Sequence, residues 1–373
     1  MNRQWIAMIA FGAAIIVQLC LAAFAPCAEP DRQYVKTRSG ETARPVVAVD
    51  NVCAWPNLTV LGDGTIVATI FNKPSHGLVA GDVECWASED GGKTWQKRGT
   101  PAPHEPEDAN RMNVAAGLAK NGDLVVLSSG WSSRDASGKP GAAFRERILP
   151  AWLCRSADGG RTWTIDREAV PATTPVGQPG IPFGDVLQAR DGSLCAALYC
   201  RHDGGWRSFV YRSRDDGKTW GEPAPLDDRA GRNETAIFHL GDGKWLAAAR
   251  SDGLDLYRSD DDANTWTHRR KLTGAQQHPG HFTRLADGRV LLSYGNRVVP
   301  KGVDVRVSAD EGETWSEPLR VVDFQGDGGY PSSVPLPDGR VLTAYYASRT
   351  AGHRRYHMGM VLWDPAASLG TVP

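Results

Sequence analysis

Ser88-Glu89-Asp90-Gly91-Gly92-Lys93-Thr94-Trp95 is a stretch that the chain writes five times. Ser156 to Trp163 reads SADGGRTW, Ser213 to Trp220 SRDDGKTW, and Ser308 to Trp315 SADEGETW. Ser259 to Trp266, SDDDANTW, is a degenerate copy with Ala263 where the others carry glycine. An S-x-D-x-G-x-T-W pattern is a self-contained turn. The Asp caps backbone N–H groups, the Gly supplies positive φ, and the Trp packs on the sheet behind it. These five turns are expected to be structural, with no part in catalysis.

A second repeat interleaves with the first. Asp63-Gly64, Asn121-Gly122, Asp191-Gly192, Asp242-Gly243, Asp287-Gly288 and Asp338-Gly339 each sit between apolar, β-branched-rich segments. Such pairs are the strongest short hairpin signal. Six hairpins, five of them followed by a Trp box, define six units of about four strands each. Repetition of this kind predicts an all-β, six-bladed β-propeller of four-stranded antiparallel blades with five Asp boxes. The sixth unit lacks a box, and residues 45–49 are expected to supply its closing strand.

The rest of the chain fits this frame. With 373 residues, 41 glycines and 24 prolines, it is rich in turns and long enough to bury a large core. The formal net charge of −1 gives no basic excess, so no nucleic-acid partner is expected. Arg3 precedes an apolar run over residues 5–25, with Ala23-Phe24-Ala25 as a small-x-small cleavage triplet. Residues 1–28 therefore read as a signal peptide or N-terminal membrane anchor, residues 29–44 as a linker, and residues 45–373 as the propeller. The protein is expected to be exported, whether periplasmic, extracellular or anchored. Outside that targeting region five cysteines remain, Cys53, Cys85, Cys154, Cys195 and Cys200, in apolar runs that read as buried thiols. No metal-ligand spacing, P-loop or dinucleotide fingerprint occurs, so neither metal nor cofactor is expected.

The hairpins also fix which residues share an end of the sheets. About eight residues before each turn stand Trp55, Asn113, Phe183, Glu234, Pro279 and Tyr330. About eight to ten after it stand Phe71, Trp131, Tyr199, Arg201, Arg250, Arg297 and Tyr346. The boxes fall at the opposite end. Polar and aromatic groups gathered at one mouth make a ligand site.

Those mouth residues carry a resemblance. Asn233-Glu234-Thr235, then Leu240-Gly241-Asp242-Gly243, then Ala249-Arg250-Ser251 is similar to a segment of the sialidase (neuraminidase) superfamily. Gly329-Tyr330-Pro331-Ser332 resembles that superfamily's nucleophile segment, and the likeness covers about residues 45–365. The resemblance implies a retaining exo-α-sialidase-type glycosidase for terminal acidic sugars. Tyr330 would be its nucleophile, Glu234 the base, and Arg250 and Arg297 its carboxylate ligands. A neutral phenol suits a substrate whose anomeric carbon bears a carboxylate, which would repel an anionic nucleophile.

The chain departs from the pattern at two places. Ala54, in Cys53-Ala54-Trp55-Pro56, stands where the family has an arginine; either Arg250 and Arg297 bind the carboxylate alone or Arg111 joins them, and Arg201 is a further candidate substrate ligand. The loop at 72–82 has no aligned acid, leaving Asp82 or His76 as general acid, with Trp55 beside the sugar. Two other readings stay open: a hydrolase or lyase for uronic-acid-containing glycans using His76, and a non-catalytic propeller binding a glycan or a protein.

Overall fold

The computed structural model describes residues 32–105, 108–141 and 144–369, so the targeting segment lies outside the described residues. From Gln33 onward the chain forms a single unit. The described residues are all-β apart from one short helix, α1 (Pro365–Leu369), which is too short to cross a membrane.

The strands fall into six groups of four. The first holds β2 (Ala54–Val60), β3 (Ile66–Phe71), β4 (Val83–Ser88) and β5 (Gln96–Ala102). The second holds β6 (Ala109–Leu118), β7 (Leu124–Ser132), β8 (Arg147–Ser156) and β9 (Thr164–Asp166). The third is β10 (Ile181–Gln188), β11 (Leu194–His202), β12 (Gly205–Ser213) and β13 (Gly221–Pro225). The fourth is β14 (Thr235–Gly241), β15 (Lys244–Arg250), β16 (Leu254–Ser259) and β17 (Thr267–Lys271). The fifth is β18 (Gln277–Arg284), β19 (Val290–Asn296), β20 (Gly302–Ser308) and β21 (Leu319–Asp323). The sixth is β22 (Gly328–Pro335), β23 (Val341–Ala347) and β24 (His357–Trp363), completed by β1 (Pro45–Asp50) from the start of the chain.

Within each group all pairings are antiparallel, as short hairpin connections require. The second and third groups are joined through parallel pairing of β6 and β10 at Ala115–Gly117 and Gly184–Val186. A Cβ on Gly117 would run into the Val186 carbonyl, so only glycine lets the two strands approach this closely. The first strands of successive groups pack on one another in chain order, and β22 packs on β2. Apolar clusters fill the spaces between neighbouring groups, as between the third and fourth (Ala197, Val210, Ile237, Trp245, Tyr257) and between the sixth and first (Ile70, Phe71, Ala344, Met360).

Register separates the two ends of the sheets. The box serines Ser88, Ser156, Ser213, Ser259 and Ser308 pair with Ile66, Leu124, Leu194, Trp245 and Val290, the residues just past the hairpin turns. In the first box Ser88 Oγ accepts from Gly92 N at 2.8 Å, and Asp90 accepts from Thr94 N at 2.9 Å and Thr94 Oγ1 at 2.6 Å. The other four boxes repeat these bonds, Ala263 included. At the far end the pairs are Ala54–Phe71, Asn110–Trp131, Ile181–Tyr199, Thr235–Ala249 and Gly329–Tyr346.

One reading of the sequence is corrected here. The polar stretch to residue 44 is not a free linker, at least from Gln33 on. Val35 N donates to Arg320 O at 2.9 Å, Ala43 N to Val35 O at 3.0 Å, and both apolar side chains are buried against the fifth and sixth sheets. Two apolar residues among many polar ones suffice to seat the strip, a signal too sparse for periodicity to show. The five cysteines are buried and unbridged.

Candidate active site

At the end away from the boxes a cavity of about 350 Å³ opens between the first strands. Trp55, Asn113, Phe183, Glu234 and Tyr330, one from each of five first strands or the residue just before it, all line it. Tyr199, Arg201 and Arg250, from the second strands, also line it, whereas Phe71, Pro279, Arg297 and Tyr346 do not. Five of the six first strands carry a register irregularity near this end: β2 between Ala54 and Asn57, β6 between Arg111 and Asn113, β10 between Phe183 and Leu187, β18 between Gln277 and Gly280, and β22 between Gly329 and Ser332. Bulges of this kind re-aim side chains beside active sites.

Tyr330 is aimed by backbone strain. It has φ 50° and follows Gly329 at φ 117°. Ala54 and Trp55 are also left-handed, at φ 57° and 46°. Each such residue costs about 1–3 kcal/mol, which the surrounding packing must over-determine. Glu234 and Arg250 are placed by one rung of the fourth sheet: Arg250 N donates to Glu234 O at 3.1 Å.

Three side chains then meet. The Tyr330 hydroxyl donates to Glu234 Oε1 at 2.5 Å. Arg250 Nη1 donates to Glu234 Oε2 at 2.6 Å and to the Tyr330 oxygen at 3.2 Å. Burial opposes the Glu234 charge, but the Arg250 cation and the hydrogen bonds from Tyr330 and Arg250 outweigh it, and the carboxyl ends below its ordinary range. Burial, reinforced by the Glu234 charge, pushes the Tyr330 phenol above its usual value. At neutral pH the pair is therefore a protonated phenol on an ionised carboxylate, a nucleophile held against its base.

Arg297 flanks the tyrosine without lining the cavity. Its guanidinium lies 5.5 Å from the Tyr330 ring centroid and donates to His278 Nδ1 at 2.9 Å and to the His278 carbonyl. Burial, with the charges of Arg250 and Arg297, drives His278 down to about 3, so its imidazole is neutral and free to accept.

His76 reaches the cavity from the β3–β4 loop, edge-on to Trp55 at 5.0 Å between centroids. Its Nδ1 lies 2.7 Å from Asp327 Oδ2, and the hydroxyls of Tyr346 and Tyr356 donate to Asp327 at 2.9 and 3.0 Å. A carboxylate fixing one ring nitrogen leaves the other for proton transfer. Cys53, His76 and Asp327 each bring one potential metal-ligand atom within 4.8 Å of the others. Burial holds the Cys53 thiol well above its ordinary value and Asp327 already engages the imidazole, so the cluster reads as an oriented histidine.

Two expected site residues lie elsewhere. Asp82 is captured by His104, accepting from its backbone N at 2.8 Å and lying 2.6 Å from its Nδ1, and it does not line the cavity. Arg111 is buried, 3.4 Å over the Trp152 ring, and donates to Pro150 O at 2.8 Å. Its neighbours Met112 and Asn113 take the cavity side instead. The β6 irregularity beside Arg111 sets that facing, and burial lowers the guanidinium to about 9. Trp55 and Arg201 do line the cavity, Arg201 from the end of β11. Sequence reasoning missed Arg145 and Asp327, which come from segments without a motif; only their placement before β8 and β22 hinted at the mouth.

The propeller-like all-β fold is shared with known proteins. The pattern described as a BNR repeat-like domain matches residues 64–343, and the chain belongs to that family, within the sialidase/BNR superfamily. A protein of unknown function from Dyadobacter fermentans DSM 18053 superposes with TM-score 0.73 and 25% identity, over 86% of this chain and 98% of that one. The Hadza microbial sialidase Hz136 does so with TM-score 0.67 and 19% identity, over 88% and 69%. Trypanosoma rangeli sialidase in complex with the inhibitor DANA gives TM-score 0.64 and 17% identity, over 89% of this chain and 58% of that one. At such identities the two sialidases show a shared fold. No curated protein matches the chain.

Proposed function

We propose that the six sheets close a six-bladed propeller whose mouth is the active site of an exported, retaining glycoside hydrolase of the sialidase type, acting on terminal acidic sugars of glycans. The observation that carries this reading is the 2.5 Å contact of the Tyr330 hydroxyl with Glu234, with Arg250 bonded to both. Tyr330 Oη attacks the anomeric carbon and its proton passes to Glu234. The glycosidic C–O bond breaks, and the departing oxygen takes a proton from protonated His76, which Asp327 orients. Water then attacks the tyrosyl–sugar bond as His76 takes its proton, and Tyr330 recovers its proton from Glu234. Arg250 and Arg297 offset the substrate carboxylate.

A fluorinated sialic acid that traps glycosyl–enzyme intermediates tests this reading. Mass spectrometry is expected to find the adduct on the peptide containing Tyr330, and an adduct on another residue would reject the tyrosine route. The 2.7 Å contact of His76 with Asp327 favours a second reading, a His76-driven hydrolase or lyase for uronic-acid glycans. In that case His76→Ala abolishes turnover while Tyr330→Phe is the milder change. A wild-type protein that binds glycans and processes none would be the non-catalytic propeller.

A further inference from the structure

The charges around the cavity do not balance around a single carboxylate. At the Tyr330 end, Arg250, paired with Glu234, and Arg297, beside the Tyr330 ring, together offset one substrate carboxylate. The second and third sheets bring two further arginines to the same cavity, Arg145 and Arg201. Both guanidiniums face Trp131, Arg145 at 4.9 Å and Arg201 at 5.2 Å from the ring centroid, and Arg201 also lies 5.7 Å from the Trp206 ring. Among the described residues neither has a carboxylate within ion-pair distance; Arg145 donates only to the His76 carbonyl at 3.0 Å and to Met112 Sδ at 3.3 Å.

The Arg145 position is built rather than incidental. Gly77, at φ 65°, leaves the space that Arg145 and Met112 occupy; a Cβ there would come 2.8 Å from the guanidinium. Burial pulls the Arg145 pKa below its ordinary value, a cost that an unpaired cation bears until an anion arrives. Aromatic faces hold guanidiniums without neutralising them, leaving their N–H groups available to a planar anion.

We infer that Arg145 and Arg201, laid on Trp131, form a second anion site in the cavity, so that its ligand is a glycan with two anionic groups. One faces Tyr330 and Arg297. The other, a carboxylate or a sulfate ester, faces the arginine pair. The inference rests on the glycan reading of the cavity.

Calorimetric titration of the full chain tests it with four probes: lactose, N-acetylneuraminic acid, a uronic-acid disaccharide with two carboxylates, and a sulfated one. The dianionic probes are expected to bind at least about tenfold tighter than the monoanion, the gain from one charge-assisted contact. Arg145→Gln and Arg201→Gln each erase that preference, weakening the dianionic probes about tenfold more than N-acetylneuraminic acid, and Arg145→Lys retains part of it. Arg111→Gln, outside the cavity, keeps the full preference. Which disaccharide gains more separates carboxylate from sulfate. Equal wild-type affinity for monoanionic and dianionic sugars, or an intact preference in Arg145→Gln, overturns this inference and leaves the glycan reading standing. Binding of no sugar overturns the glycan reading itself.

Discussion

The two ends of the same strands obey different rules. At the box end, each turn satisfies its own polar groups. Asp90 and Asp158 accept local bonds from the Thr four residues on, and those bonds hold each carboxyl below its ordinary value. Burial pushes the carboxyls of Asp215, Asp261 and Asp310 upward, but each accepts the same local bonds, which outweigh burial and hold it below its ordinary value. At the mouth almost nothing is local. Tyr330 meets Glu234 across 96 residues of sequence, and His76 meets Asp327 across 251. Left-handed backbone at Ala54, Trp55 and Tyr330 adds strain. A fold that repeats its stabilising element at one end is free to vary every residue at the other.

The largest expected effect separates the two ends outright. Tyr330→Phe removes one oxygen and is expected to cut turnover by at least about 10³-fold, since the covalent route is lost. Its melting temperature should stay near wild type. Asp158→Ala should do the reverse: kcat unchanged, and stability lower by about 1–2 kcal/mol as the turn loses its cap. Steady-state kinetics and thermal unfolding on both variants check the pair. A Tyr330→Phe protein with wild-type kcat would erase the distinction.

Next comes the arginine that touches both partners. Arg250→Gln should lower kcat/KM by about 2–5 kcal/mol, the loss typical when one member of a buried charge pair is removed. Arg111→Gln should leave kcat/KM intact and act on stability alone, because that guanidinium is spent on Trp152 and Pro150. An Arg111 variant with raised KM would return that residue to the site.

That contrast marks how far the sequence could be read. The boxes and Asp-Gly turns are short-range signals, so strand order, the closing role of β1 and the level of each residue along its strand were legible. Level placed Glu234, Arg250 and Tyr330 together. Facing was not legible, because it changes at each irregularity: Arg111 sits at the mouth level but turns inward beside one. Loop capture was equally hidden. Asp82 needed only a neighbouring histidine to leave the site, and Asp327 and Arg145 needed tertiary partners to enter it.

The pH dependence is smaller and has a defined sign. Burial raises Glu234, while Arg250 and Tyr330 more than reverse this, so its folded pKa lies below its unfolded value of about 4.3. Its contribution to stability is therefore present above about pH 4.3 and is lost as pH falls through the lower folded value. Denaturant titrations from pH 7 to pH 3 should show that loss in wild type and a shallower one in Glu234→Gln. The acid limb of kcat/KM assigned to Glu234 should likewise fall below the ordinary glutamate range. Identical acid profiles in the two proteins would remove Glu234 from the ionised state assigned to it.

The smallest effect tests the box end against itself. Ala263 holds the position of Gly92 and Gly160 at φ 64°, and it is buried. Left-handed geometry costs an L residue about 1–2 kcal/mol. Ala263→Gly would recover that, but would lose a buried methyl worth about 0.8 kcal/mol and add about 0.5–1 kcal/mol of unfolded-chain entropy. The opposing terms nearly cancel, so the substitution is expected to move stability by less than about 1 kcal/mol. Gly160→Ala is not its mirror image. A Cβ there would stand 2.5 Å from Cys85 Sγ, in a backbone at φ 92°, and overpacking of that kind typically adds about 1–3 kcal/mol to the left-handed penalty. Equilibrium unfolding should therefore find Gly160→Ala clearly destabilised and Ala263→Gly close to wild type. If both shift equally, the degenerate box is held by the same steric rule as the others, and the local account of the turns fails at its one natural exception.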